Sequence, residues 1–123
     1  MEYRESKAIY IQIADTIGDN ILVKEWKEEE RIPSIREMAV SMEVNPNTVL
    51  RAYSYLQDKG IIYNKRGIGY FIKEGAKAKV LELKKNYFIN NELPYIFRII
   101  DILHLDFKTL EKLYMEYKQR RSA

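Results

Sequence analysis

Apolar residues recur at Tyr10, Ile13, Ala14, Ile17 and Ile21, the spacing of one face of an amphipathic helix, and predict a helix from Ile9 to Leu22. The polar segment "KEWKEEERIP" breaks that pattern, and Trp26 within it is expected to anchor the loop on the core. In "PSIREMAVSME", Ser34 and Glu37 have the S-x-x-E spacing in which each side chain satisfies a backbone N–H at a helix start. Ile35, Met38, Ala39 and Met42 then line the inner side of a short second helix.

A third helix opens in "VNPNTVLRAYSYLQ". Asn45 suits the N-cap, since its side-chain oxygen can accept from the first turn. Pro46 falls at the first helical position, where a missing N–H costs nothing and the fixed φ suits the helix. The proline therefore starts this helix. Val49, Ala52, Tyr53 and Leu56 face inward, and Gly60 is placed to end the helix in the left-handed conformation. After it, "IIYNKRGIGYFIK" reads as two short strands around "NKRGIG", with Lys65 and Arg66 at the tip.

Residues 76–123 have a different pattern. Val80, Leu83 and Tyr87, flanked by Leu81 and Phe88, predict one helix, and "ELPYIFRIIDILHL" predicts a second. Asp106 is expected to cap a third, which carries Leu110, Leu113, Tyr114 and Tyr117. So short a run cannot bury this apolar and aromatic surface by itself, which implies a partner. A second copy is the economical choice. Leu83, Tyr87, Ile96, Ile100, Leu103, Leu110, Leu113, Tyr114 and Tyr117 are the expected dimerisation residues. The expected fold is mainly α with a small β-hairpin. A winged helix-turn-helix spans residues 1–75, and a short helical segment for dimerisation or effector coupling spans 76–123.

Composition narrows the function. At 123 residues the chain is one domain, or one small domain with an appendage. No apolar run approaches the ~18 residues of a membrane span, and the charged start "MEYRESK" is no secretory signal. Without cysteine there are no disulfides or thiolate metal sites, so a reducing cytoplasm is the expected compartment. His104 is the only histidine, which argues against a metal sensor. No nucleophile–base pair or phosphate-binding glycine loop is present, and "RGIG" is too short for a dinucleotide fingerprint. Neither enzymatic activity nor a cofactor is expected.

The net charge of +3 is too small to argue for nucleic acid by itself. Local clustering says more. Between Arg51 and Lys73 five basic residues (Arg51, Lys59, Lys65, Arg66, Lys73) face one acid, Asp58, while other acids gather in "KEEE" at 27–30. On the third helix Asn47, Arg51, Ser54 and Asp58 fall within about 60° of each other, opposite the apolar stripe. An amide, a guanidinium and a hydroxyl can pair with base edges or phosphates. An ordinary solvated face would hold the same residue types, and Asp58 fits that simpler role. The order of helix, short helix, turn, capped helix and basic hairpin favours a DNA reader, whose wing reaches the backbone or minor groove.

The segments "IYIQIADTIGDNIL", "RIPSIREMAVSMEVNPNTVLRAYSYLQDKGII" and "KRGIGYFI" resemble successive parts of the winged-helix domain of the gluconate-repressor (GntR) family of bacterial regulators. The most specific pieces are P-S-x-R-E-x-A, N-T-V and the glycine pair before the aromatic. "NPNTV" with "RAY" resembles the short subfamily typified by the YtrA regulators. The resemblance implies that Arg36, Asn47 and Thr48 contact DNA and that Gly67 sits at the wing tip. Together with Asn45, Arg51, Ser54, Lys65 and Arg66 these are the expected DNA-binding residues. Many relatives have arginines where this chain has Pro46 and Leu50, which implies a different operator and a larger share for Arg51.

The expected function is thus a sequence-specific regulator, a repressor on a pseudo-palindromic duplex operator, working as a homodimer without membrane association. A winged helix used only for protein docking is the alternative; it calls for an apolar outer face on the third helix, where only Leu50 stands at the edge. A nonspecific architectural binder calls for a more basic surface. The tail is too short for the separate ligand domain of longer family members. It still leaves a place for a small-molecule effector among Tyr87, Tyr95, Tyr114 and Tyr117, although packing is the simpler role for these rings.

Overall fold

The computed structural model describes residues 7–23 and 25–122. Of the charged start "MEYRESK", all but Lys7 lies outside the described residues. Helices α1 (Ile9–Leu22), α2 (Ile35–Met42) and α3 (Pro46–Asp58) precede a hairpin of β1 (Ile62–Lys65) and β2 (Gly69–Ile72).

The helix starts are built as the sequence predicts. Ser34 Oγ accepts from the Glu37 N–H at 3.1 Å, and the Glu37 carboxylate accepts from the Ser34 N–H at 2.9 Å. Asn45 Oδ1 accepts from the Asn47 N–H at 2.8 Å, with Pro46 as the first helical residue. Between α2 and α3 the chain turns sharply at Glu43, which has φ 55. The Val44 N–H reaches back to the Ala39 carbonyl at 3.0 Å, closing the end of α2.

One apolar cluster holds these pieces together. Ile13, Ile17 and Ile21 of α1 meet Met38 and Ala39 of α2, Val49, Tyr53 and Leu56 of α3, and Ile62 and Ile72 of the hairpin. Each of the larger aliphatic side chains among them contributes roughly 1.5–3 kcal/mol by leaving water. Trp26 packs at the rim of this core, anchoring its loop as expected.

In the hairpin Ile62 pairs with Ile72 and Lys65 with Gly69, in antiparallel register. The Ile68 N–H donates to the Lys65 carbonyl at 2.8 Å, closing a turn whose third residue, Gly67, has φ 80. A side chain at that position would be strained, so glycine is required there. The segment before α2 adds an edge to this sheet: Arg31 bridges Phe71, and the Ile32 N–H donates to the Tyr70 carbonyl at 3.0 Å. The hydrophobic pattern predicts only a loop here. A backbone bridge of one or two residues leaves no alternation to read.

Helix α4 (Ala76–Tyr87) returns to the core, where Ala76 and Val80 are buried and Leu83 packs beside them. Gly18 of α1 makes this possible, since a Cβ there would stand 3.2 Å from both Val80 and Lys84. The Lys84 ammonium pairs with Asp19 at 3.0 Å. The first compact unit therefore extends to Asn86.

A second unit begins at Tyr87. A π-helical turn, Phe88–Glu92, leads into α5 (Leu93–Ile102), and α6 spans Phe107–Ser122. Asp106 stands at the N-cap of α6, where its carboxylate accepts a long hydrogen bond, 3.5 Å, from the Lys108 N–H and its carbonyl accepts from Thr109 and Leu110. No described residue of α5 or α6 is buried. Leu103 is 60 % exposed and Phe107 73 %. No helix among the described residues is long and apolar enough to cross a membrane.

Candidate nucleic-acid interface

The inward stripe of α3 (Val49, Ala52, Tyr53, Leu56) is fully buried, which fixes the helix in rotation and turns Asn47, Arg51 and Ser54 outward, all exposed. Thr48 is half-buried at the side of this face, and Asp58 is exposed near its far end. Leu50 stands beside it, 45 % exposed. Arg36 follows the capping serine closely on α2 and is exposed, while Glu37 beside it is engaged in the cap. Hydrogen bonds from the Ser34 backbone N–H and hydroxyl hold the Glu37 carboxyl below its usual range.

Asn45 is also exposed, but its carboxamide oxygen is taken by the cap. Its amide nitrogen is left to donate to a partner. Arg51 leans on α1, with its guanidinium carbon 4.0 Å from the centre of the Tyr10 ring. Ala8, Ile9, Tyr10, Asn47, Thr48 and Arg51 line a shallow depression there.

On the wing Lys65, Arg66 and Gly67 are exposed, and nothing lies within 4 Å of where a Gly67 side chain would begin. The tip is thus open backbone with a cation on each of the two residues before it. Lys65 Nζ lies 5.5 Å from the Phe71 ring centre. The acids of "KEEE" are engaged locally. Glu29 accepts from the Tyr63 hydroxyl at 2.6 Å, Glu30 from the Lys27 N–H at 2.6 Å, and Glu28 from the Gly75 N–H. Accepting that bond, Glu29 pushes the Tyr63 hydroxyl above its ordinary range.

Sequence reasoning missed Arg31. It is exposed, and its Nε lies 3.0 Å from where a Gly69 side chain would begin, so it adds a cation beside the wing. Its place among the acids of the loop hid it; the only signal was its position just ahead of the P-S-x-R-E motif. Among the described residues no group of three or more acids or histidines could hold a metal ion. His104 is exposed in the turn after α5, with φ 54.

A buried-stripe helix after a tight turn, flanked by a basic hairpin, makes the first unit a winged helix-turn-helix of the DNA-binding class. The family model "Bacterial regulatory proteins, gntR family" matches residues 9–72. The chain belongs to this family of DNA-binding transcriptional regulators, which are not enzymes. It is 38 % identical to the transcriptional repressor YtrA of Bacillus subtilis over 94 % of this chain and 86 % of that protein. It is 46 % identical to the helix-turn-helix regulator YhcF of Bacillus subtilis over 68 % of each chain. Among solved structures, a putative GntR-family regulator from Bacteroides thetaiotaomicron matches 93 % of this chain and 99 % of its own. Its TM-score is 0.78 at 49 % identity.

Proposed function

We propose that the chain is a homodimeric repressor that reads a pseudo-palindromic operator. The observation that carries this is the outward face of α3, where Asn47, Arg51 and Ser54 stand exposed together over a buried stripe. In this role Asn47, Arg51 and Ser54 meet base edges. Arg36, Asn45 and Thr48 meet flanking phosphates, and Lys65, Arg66 and Gly67 meet the backbone beside the adjacent minor groove. A docking module is disfavoured by the same face, which has Leu50 as its one apolar edge.

Pairing of two copies is supported by the second unit. Leu103, Leu113, Tyr114 and Tyr117 are exposed there, with Ile96, Ile100 and Leu110 half-buried beside them in sequence. Tyr87 is half-buried at its start, while Leu83 packs on the first unit's core. Residues 1–75 hold the reading elements, and of the segment from 76 onward the part that begins at Tyr87 carries the pairing surface. A small-molecule effector would act through the same tail, by changing how the copies pair. The protein works in the cytoplasm, and the name of the Bacillus subtilis relative, a repressor, supports the direction of regulation.

Fragmented host DNA bound by the purified protein and then sequenced tests this. A repressor of this kind enriches discrete loci, and adding it to transcription reactions on those fragments lowers transcript. Uniform coverage would refute specific reading, and a rise in transcript would refute repression.

A further inference from the structure

We infer that Tyr10, at the start of α1, is a positioning residue for DNA reading, because its ring is the platform that sets the direction of Arg51. This rests on α3 being the reading helix. The guanidinium carbon of Arg51 lies 4.0 Å from the Tyr10 ring centre. A cation so close to an aromatic face is held by the ring quadrupole.

The platform is itself fixed. Tyr10 is half-buried at the rim of the core, and its ring meets Tyr55 edge-on at 6.3 Å and 73°. Tyr55 lies one helical turn beyond Arg51 on α3, so one helix grips the ring at two places. An arginine on an exposed helix face otherwise samples many rotamers, and ordering it on DNA costs conformational entropy. Resting on a ring, Arg51 is already confined.

The contact also leaves the useful atoms free. A guanidinium held over a ring through its charge spends no N–H donor on a hydrogen-bond acceptor, and those donors can pair with guanine or phosphate in a two-pronged fashion. The Lys7–Asp15 and Lys84–Asp19 ion pairs do not draw on Arg51. The depression beside it is walled by Asn47 and Thr48, so the platform adjoins the polar start of the reading helix.

The test is a double-mutant cycle on a duplex selected by the wild-type protein. Affinity, base preference and thermal midpoint are measured for Tyr10→Leu, Tyr10→Phe, Arg51→Ala and the Tyr10→Leu/Arg51→Ala pair. Leucine keeps apolar bulk and removes the ring; phenylalanine keeps the ring. Tyr10→Leu is expected to weaken specific binding by about two- to five-fold and to relax the base preference that Arg51→Ala abolishes. Tyr10→Phe is expected to bind as wild type does, and Tyr10→Leu to have no further effect once Arg51 is gone. Equal losses in both backgrounds would make Tyr10 a packing residue only and overturn the inference, as would unchanged binding by Tyr10→Leu. If Arg51→Ala itself bound every duplex as wild type does, the assignment of the reading helix would fall, and the role of Tyr10 with it.

Discussion

The phenolic hydroxyl of Tyr53 donates to the carbonyl oxygen of Pro33 over 2.6 Å. A fully buried side chain of α3 thus holds the residue that leads into α2, where Arg36 is carried. The same ring meets Tyr70 of β2 edge-on, with centres 4.9 Å apart. Tyr53 therefore joins the three elements proposed to touch DNA, and holds their spacing from inside.

Tyr53→Phe removes this bond and leaves the Pro33 carbonyl without its partner. It is expected to cost about 1–3 kcal/mol in urea unfolding and to weaken DNA binding by loosening α2 against α3. Burial, followed by the neighbouring Tyr70 and Glu37, pushes the Tyr53 hydroxyl above its ordinary value of 10.0. A raised value in the folded state means stability that is present below about pH 10 and lost as pH rises further. Wild type should lose stability on that alkaline side, with a shallower loss in the variant. Equal stabilities and equal slopes would contradict the bond's role.

Glu37 gives the opposite sign at the acid end. Its carboxyl is held below the ordinary 4.5 by the Ser34 backbone N–H and then the Ser34 hydroxyl. Its contribution is present above the unfolded value and lost as pH falls through the lower folded one. Glu37→Gln keeps an acceptor for the cap and removes the titration. The thermal midpoint of wild type should fall more steeply than that of the variant below about pH 4.5. Parallel curves would show that the cap does not depend on ionisation.

Arg51→Ala and Lys65→Ala should differ in kind. Loss of a two-pronged base contact at Arg51 is expected to cost about 1–3 kcal/mol on the operator and to relax preference at one base pair. Loss of Lys65 is expected to weaken all duplexes alike and to lower the slope of log affinity against log salt by about 1. Anisotropy titrations at several salt concentrations separate the two. A uniform loss from Arg51→Ala would assign that side chain to phosphate.

Leu103→Asp places a charge in the exposed apolar surface of the second unit. It is expected to convert a dimer to a monomer in light scattering and to reduce operator affinity by at least tenfold, about 1.4 kcal/mol, while the fold seen by circular dichroism persists. An unchanged mass would place the pairing surface elsewhere.

How much of this was legible in the sequence differs by element. The three helices and the hairpin were, because the periodic stripe at Ile13, Ile17 and Ile21, the Ser34–Glu37 cap and the Asn45–Pro46 start are local signals. The outward direction of Asn47, Arg51 and Ser54 followed from the same periodicity. Contacts between elements were not legible. The Arg31–Phe71 bridge is a single backbone pairing, and the Tyr10–Arg51 contact and the Tyr53–Pro33 bond join residues with no periodic relation. The packing of Val80 on Gly18 was hidden for another reason: an apolar stripe on α4 shows that one face is covered, but not by what.

The central claim, a dimer reading a two-fold site through α3, is tested most directly by selecting bound duplexes from a random DNA pool with wild-type protein and Arg51→Ala in parallel. The expected result is an inverted repeat with half-site centres about one helical turn, ~34 Å, apart, and loss of one base preference in each half-site for the variant. A motif without two-fold symmetry, or no enrichment even at low salt, would contradict it.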